Sequence, residues 1–198
     1  MKTTIILVRH GETLWNKKKK LQGQIDIQLS KTGLKQADLV AKRVKTFGIT
    51  KIYSSGLKRA IQTANAISKE LDLPLLINEG LNERAYGEHQ GKSWKDIKHY
   101  YKDEKTYFHN FKPNGGESNI EFGERVIFAL NKIINANEGE KILIVCHSGV
   151  IHILIRHLRK IPHEQVTNFH FPNTSLTIYH IDKEKIIEEL FADAKHIK

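Results

Sequence analysis

Continuous apolar runs alternate with helix-period stripes along most of this 198-residue chain. The opening run predicts a buried strand over residues 4–9. In "SKTGLKQADLVAKRVKTFG", Leu34, Ala37, Ala41 and Val44 recur at helical spacing, with Ser30 or Thr32 as the N-cap and Gly48 as the stop. A short strand in "ITKIYSS" follows, then a helix capped by Ser55 and running through Leu71, with Ala60, Ala64, Ile67 and Leu71 inward and Pro74 closing the unit. "LPLLIN" is a third strand. Ser118 and Glu121 have capping-box spacing ahead of a helix that carries Val126, Leu130, Ile133 and Ile134. "KILIVC" has the composition of a strand buried on both faces, and a helix from about Val150 to Arg159 succeeds it. "TSLTIYHI" and "KIIEELF", separated by "DKEK", predict a hairpin.

Strands alternating with helices predict an α/β fold: a mostly parallel sheet with helices on both faces and an antiparallel edge near the C-terminus. Residues 82–117 break the alternation, with at most one short helix around Trp94 to Tyr101. In a compact domain of residues 1–198, a stretch of that kind reads as a lid-like insertion over a site.

Composition narrows the function classes. With 39% hydrophobic residues, eight Phe, two Trp and six Tyr, the chain reads as globular. Its one cysteine, Cys146, permits neither an intramolecular disulfide nor a cysteine-based zinc site. The N-terminal apolar run is too short for a secretory signal, and nothing else approaches membrane-span length, so the expectation is a soluble cytoplasmic protein without a membrane partner. A formal net charge of +10 favours anionic partners, either nucleic acid or a phosphorylated metabolite. The densest basic run, Lys17 to Lys20, has no interleaved aromatics and reads as a solvated face. A small phosphorylated substrate is therefore preferred to nucleic acid. The pattern specifies no oligomeric state.

The chemistry begins at "LVRHGET", residues 7–13, where a buried strand runs into ionisable side chains and then glycine. Two buried strands end in a histidine, His10 and His147. Adjacent strand ends in a parallel sheet would bring both imidazoles to one pocket. Arg9 lies beside His10, and Arg59 emerges early in the helix after "KIYSS". Four such donors suit a dianionic phosphoryl group. A metal site is the competing reading, but His147, His152 and His157 repeat every five residues, about 140° apart around a helix, and share no face. With no HExxH and no cysteine pair, the expectation is a site with no metal and no cofactor.

"LVRHGET" followed by Asn16, "QG" at Gln22 and Gly23, "SSGLKRAIQTA" at 54–64, "LNERAYGEHQG" at 81–91, "NGGES" at 114–118 and "VCHSG" at 145–149 occur in the order found in the histidine phosphatase superfamily, which the chain resembles over nearly its whole length. That superfamily contains cofactor-dependent phosphoglycerate mutases and phosphatases. The resemblance implies that His10 takes the phosphoryl group, that Arg9, Arg59 and His147 grip its oxygens, and that Asn16, Gln22 and Gly23 line the pocket. It also implies Glu83 as the acid that protonates the leaving oxygen, with Tyr86 touching substrate. Ser148 replaces the glycine usual after the late histidine; its hydroxyl either contacts phosphate or caps the helix.

Three departures favour the phosphatase branch over a mutase. Trp94 stands where mutases carry a lysine, residues 95–117 lack their paired arginines, and His147 is followed by "SG" rather than "GN". Lys92, Lys95, Lys98, Lys102 and Lys105 either meet a second anionic group or form a solvated lid surface.

Overall fold

The computed structural model describes residues 1–97, 111–162, 165, 167–182 and 185–197. Strands β1 (Thr3–Arg9), β2 (Lys51–Ser54), β3 (Leu75–Ile77), β4 (Lys141–Cys146), β5 (Leu176–Ile181) and β6 (Ile186–Asp193) form one sheet in the order β3-β2-β4-β1-β5-β6. The first four are mutually parallel, β5 runs antiparallel to β1, and β6 runs antiparallel to β5. The anticipated hairpin thus supplies the antiparallel end of the sheet.

Among the described residues the helices are α1 (Leu14–Lys17), α2 (Lys31–Val44), α3 (Lys58–Leu71), α4 (Trp94–Ile97), α5 (Asn119–Asn135) and α6 (Ser148–Leu158). Side chains alternate across a strand, so each central strand supplies both cores. Ile5, Leu7, Ile142 and Ile144 meet α5 and α6 on one face. On the other, Ile6, Val8, Leu143 and Val145 meet α2 and α3. Each fully buried aliphatic side chain contributes about 1.5–3 kcal/mol relative to exposure. Helices on both faces are therefore a direct consequence of central strands whose inner positions, residues 5–8 and 142–145, are all apolar.

Three local readings need correction. Leu34 is 47% exposed, because the buried stripe of α2 is centred on Gly33, Ala37, Val40, Ala41 and Val44. Gly33 lets the helix start press against the chain after β1; a Cβ there would lie 2.0 Å from Glu12 O. Ser55 does not cap α3: the helix starts at Lys58 with Leu57 as N-cap. Helix α6 begins at Ser148, two residues earlier than the stripe suggested, with His147 at the N-cap position. The helix around Trp94 is observed over Trp94–Ile97; its anticipated remainder, residues 98–101, lies outside the described residues. The Ser118–Glu121 capping box forms as read, each side chain accepting from the other's backbone N–H.

Candidate active site

Strand order decides which chain segments meet. β1, β4 and β2 are neighbours, with Arg9 paired to Cys146 and Ser54 to Val145, so their carboxyl ends open on one place. Open α/β sheets present their ligand crevices at this edge. The rings of His10 and His147 lie there with centroids 5.2 Å apart.

His10 is 3% exposed, and its Nδ1 lies 2.7 Å from Gly11 O. A carbonyl only accepts, so Nδ1 carries the proton and Nε2 keeps its lone pair. Burial, followed by Arg59 and Arg9, lowers the imidazole pKa well below 6.5, which keeps the ring neutral at physiological pH. His147 is fully buried and is likewise depressed by burial, with Arg59 the next cause. Its Nδ1 accepts from Arg59 Nε at 3.2 Å, so its Nε2–H donates to Ser55 Oγ at 2.6 Å. Ser55 is a site residue that helix-cap reasoning misassigned; the signal available was its place at the end of a strand beside two others ending in histidine.

The donors are oriented from outside. Arg59 Nη1 and Nη2 donate to Ile25 O at 3.0 Å and Gly23 O at 2.6 Å, and Arg9 Nη1 donates to Phe171 O. Burial lowers both arginines' pKa, Arg59 to about 10, which leaves them charged near neutrality. Arg9 Nε is buried without a protein partner among the described residues. The oxygens of Asn16 and Gln22 both accept from Thr13, at 3.0 and 2.9 Å, which turns their NH2 groups to other work. An unsatisfied buried donor costs about 1–3 kcal/mol, so this floor is poised for an acceptor-rich ligand.

These groups face a cleft of about 570 Å³. Of the ten residues named from sequence, Arg9, His10, Asn16, Gln22, Gly23, Arg59, Glu83, Tyr86 and Ser148 line it, and His147 stands behind Arg59. Ser148 is the first residue of α6 rather than its cap. Lys92 and Lys95 are exposed and do not line the cleft, whereas Lys20, from the run read as a solvated face, does. Lys98, Lys102 and Lys105 lie outside the described residues.

Glu83 arrives from the loop after β3. Its Oε2 accepts from Gly149 N at 3.1 Å and its Oε1 from Arg84 N at 2.9 Å. The first contact needs glycine: a Cβ on residue 149 would fall 2.3 Å from Glu83 Oε1. The loop itself is held by Arg125, which donates to Gly80 O and Asn82 O at 3.0 Å each and pairs with Glu117, while Glu117 accepts from Ala85 N at 2.8 Å. Arg125 and Glu117 were not anticipated, because the backbone atoms they hold lie more than 30 residues away.

Among the described residues, no group of three or more His, Cys, Asp or Glu is placed to hold a metal ion, and no helix is long and apolar enough to cross a membrane.

A neutral imidazole facing two arginines and a carboxylate, at the carboxyl end of an α/β sheet, defines a protein built to receive a phosphoryl group. The chain belongs to the histidine phosphatase superfamily (branch 1), whose family profile matches residues 5–194. It is 34% identical over 202 residues, covering 98% of this chain and 83% of the relative, to a metal-independent phosphoserine phosphatase of Arabidopsis thaliana. Phosphoglycerate mutase-like protein 4 of the same plant is 33% identical, with coverage of 98% and 86%. Among solved structures, the phosphoserine phosphatase of Entamoeba histolytica in complex with 3-phosphoglyceric acid superposes with a TM-score of 0.86 at 29% identity, covering 99% of this chain and all of that one.

Proposed function

We propose that this protein hydrolyses small phosphomonoesters without a metal ion, through a phosphohistidine at His10. One observation carries the reading: the buried His10 ring donates Nδ1–H to Gly11 O, which leaves Nε2 neutral and unprotonated beside Arg9 and Arg59. Nε2 attacks phosphorus, the bond to the ester oxygen breaks, and the leaving alkoxide takes a proton from the Glu83 carboxyl. Water then attacks the phosphohistidine and passes its proton to the Glu83 carboxylate. The P–N bond breaks and returns the imidazole with its Nδ1 proton in place. Arg9 and Arg59 hold the charge that gathers on the phosphoryl oxygens, as fixed donors that need no reorganisation.

Phosphoserine is the first substrate to test, on the strength of relatives named for it. Acid quench during turnover of labelled phosphoserine should trap phosphate on the wild type and none on His10→Ala. Loss of activity in EDTA, restored by a divalent ion, would overturn the reading.

Phosphoglycerate mutase activity is the second reading, favoured by Tyr86 on the cleft wall and by the mutase-like relative. With 3-phosphoglycerate and a trace of 2,3-bisphosphoglycerate, formation of 2-phosphoglycerate faster than phosphate release would establish it.

A further inference from the structure

A segment that does not line the cleft holds the backbone of Arg9 and His10. Asn173 Nδ2 donates to His10 O at 2.9 Å. Arg9 N donates to Ser175 O at 3.2 Å, Thr174 N donates to Arg9 O at 3.0 Å, and Phe171 O receives the Arg9 guanidinium. On the other side of the His10–Gly11 peptide, Gly11 N donates to Thr63 Oγ1 at 3.0 Å. That peptide is therefore clamped at both its oxygen and its N–H. The next carbonyl, Gly11 O, is the acceptor that sets the His10 tautomer.

The clamp itself rests on an unfavourable conformation. Thr174 is fully buried and has φ of +57°, a region where a β-branched residue is a genuine outlier. Such strain persists only where surrounding contacts over-determine it. Here the contacts come from the far end of the chain. Arg43 Nη1 donates to His196 Nδ1 at 2.9 Å and pairs with Asp193 at 2.5 Å. With Nδ1 accepting, His196 Nε2–H donates to Thr174 Oγ1 at 3.0 Å, and that hydroxyl donates to Asn173 O at 2.7 Å.

We propose that Asn173 is a positioning residue for His10, and that the short turn at Lys195–Ile197, acting through His196, locks Thr174 in the left-handed conformation that delivers the Asn173 amide to the His10 carbonyl. The kinetic part of this inference rests on His10 being the nucleophile; the structural part does not.

Two measurements on the full chain separate the two parts. Long-range proton–nitrogen NMR of the His10 ring reports its tautomer whatever the protein catalyses, and single-turnover release of nitrophenolate from p-nitrophenyl phosphate reports attack by that ring. Asn173→Asp keeps the shape and removes the donor. It should convert a single Nδ1–H tautomer into a mixture and slow the burst by about tenfold to a hundredfold with KM changed far less, as a misplaced nucleophile does. His196→Ala should do the same more weakly. Adding Thr174→Gly to His196→Ala should recover part of both losses, because glycine takes a positive φ without being locked. An unchanged His10 tautomer in Asn173→Asp overturns the proposal. So does a double variant no better than His196→Ala. If His10→Ala still hydrolyses phosphoserine, the proposed function fails, while the tautomer measurement still decides the role of Asn173.

Discussion

The two ends of the cleft differ in how completely their polar side chains are committed to protein partners. At the inner end Arg59 and Arg9 Nη1 donate to backbone carbonyls, but among the described residues Arg9 Nε has no protein partner and the Asn16 and Gln22 amides have only their oxygens occupied. At the outer end, Arg156 donates to Pro162 O, Gln165 O and Thr167 Oγ1, and Arg84 donates to Glu117 O, Asn119 Oδ1 and Phe111 O. Donors turned toward protein carbonyls hold backbone in place; donors with no protein partner are the ones left available to a ligand. On the proposed function, recognition falls on the phosphoryl group, and the rest of the substrate would meet Lys20 and the apolar wall of Leu21, Trp94, Ile120, Phe122 and Ile153.

The sharpest way to break this contrast is at the inner end. His10→Ala should lower phosphomonoester hydrolysis by about 10⁴-fold or more, with no phosphoenzyme on acid quench. A smaller loss would mean that the pocket can act without this nucleophile. Next comes Glu83. Glu83→Gln should slow phosphoserine hydrolysis by about 10²- to 10⁴-fold, yet scarcely affect the burst from p-nitrophenyl phosphate, whose leaving group needs no proton. Gly149→Ala should show the same selectivity at about a tenfold loss, because its methyl displaces a carboxylate that two backbone N–H groups otherwise hold. Equal losses on both substrates would make Glu83 a positioning group rather than the acid.

Arg156→Met probes the outer end. It should cost about 0.5–1.5 kcal/mol in urea unfolding, the net loss of hydrogen bonds whose exposed carbonyls turn to water, while kcat for p-nitrophenyl phosphate stays within about threefold. A large fall in kcat/KM for phosphoserine at unchanged stability would show that the outer end does read the substrate.

The smallest effect is in pH dependence. His152 at the outer end and His196 in the C-terminal turn are both lowered to about 4, chiefly by burial and then by Arg156 and Arg43 respectively. Their unfolded values stay near about 6.5, so between these limits the unfolded chain binds more protons. Stability should be complete above about pH 6.5 and fall as pH drops toward 4, with the depressed His10 and His147 acting in the same direction. Thermal unfolding midpoints from pH 7 to pH 4.5 check this, and His152→Gln should flatten the slope slightly. A midpoint that rises on acidification would contradict the buried neutral state of these rings.

What the sequence by itself determined was local and periodic. The apolar strands, the Ser118–Glu121 capping box and the inward stripes of α3 and α5 follow from side-chain spacing, because neighbours in a helix or strand are neighbours in sequence. His10 and His147 were legible for the same reason, each as a polar break at the end of an apolar run. Strand order was decided in three dimensions, and with it the meeting of β1, β4 and β2 that turns two separate histidines into one site. The positioning roles of Ser55, Arg125 and Asn173 went unread because what they hold is a ring or a backbone atom 45 to 163 residues distant. Thr174 went unread because its spelling forbids the conformation it adopts. A hydrogen bond to a remote carbonyl leaves no period in the chain, and strain is visible only where the fold has paired enough groups to sustain it.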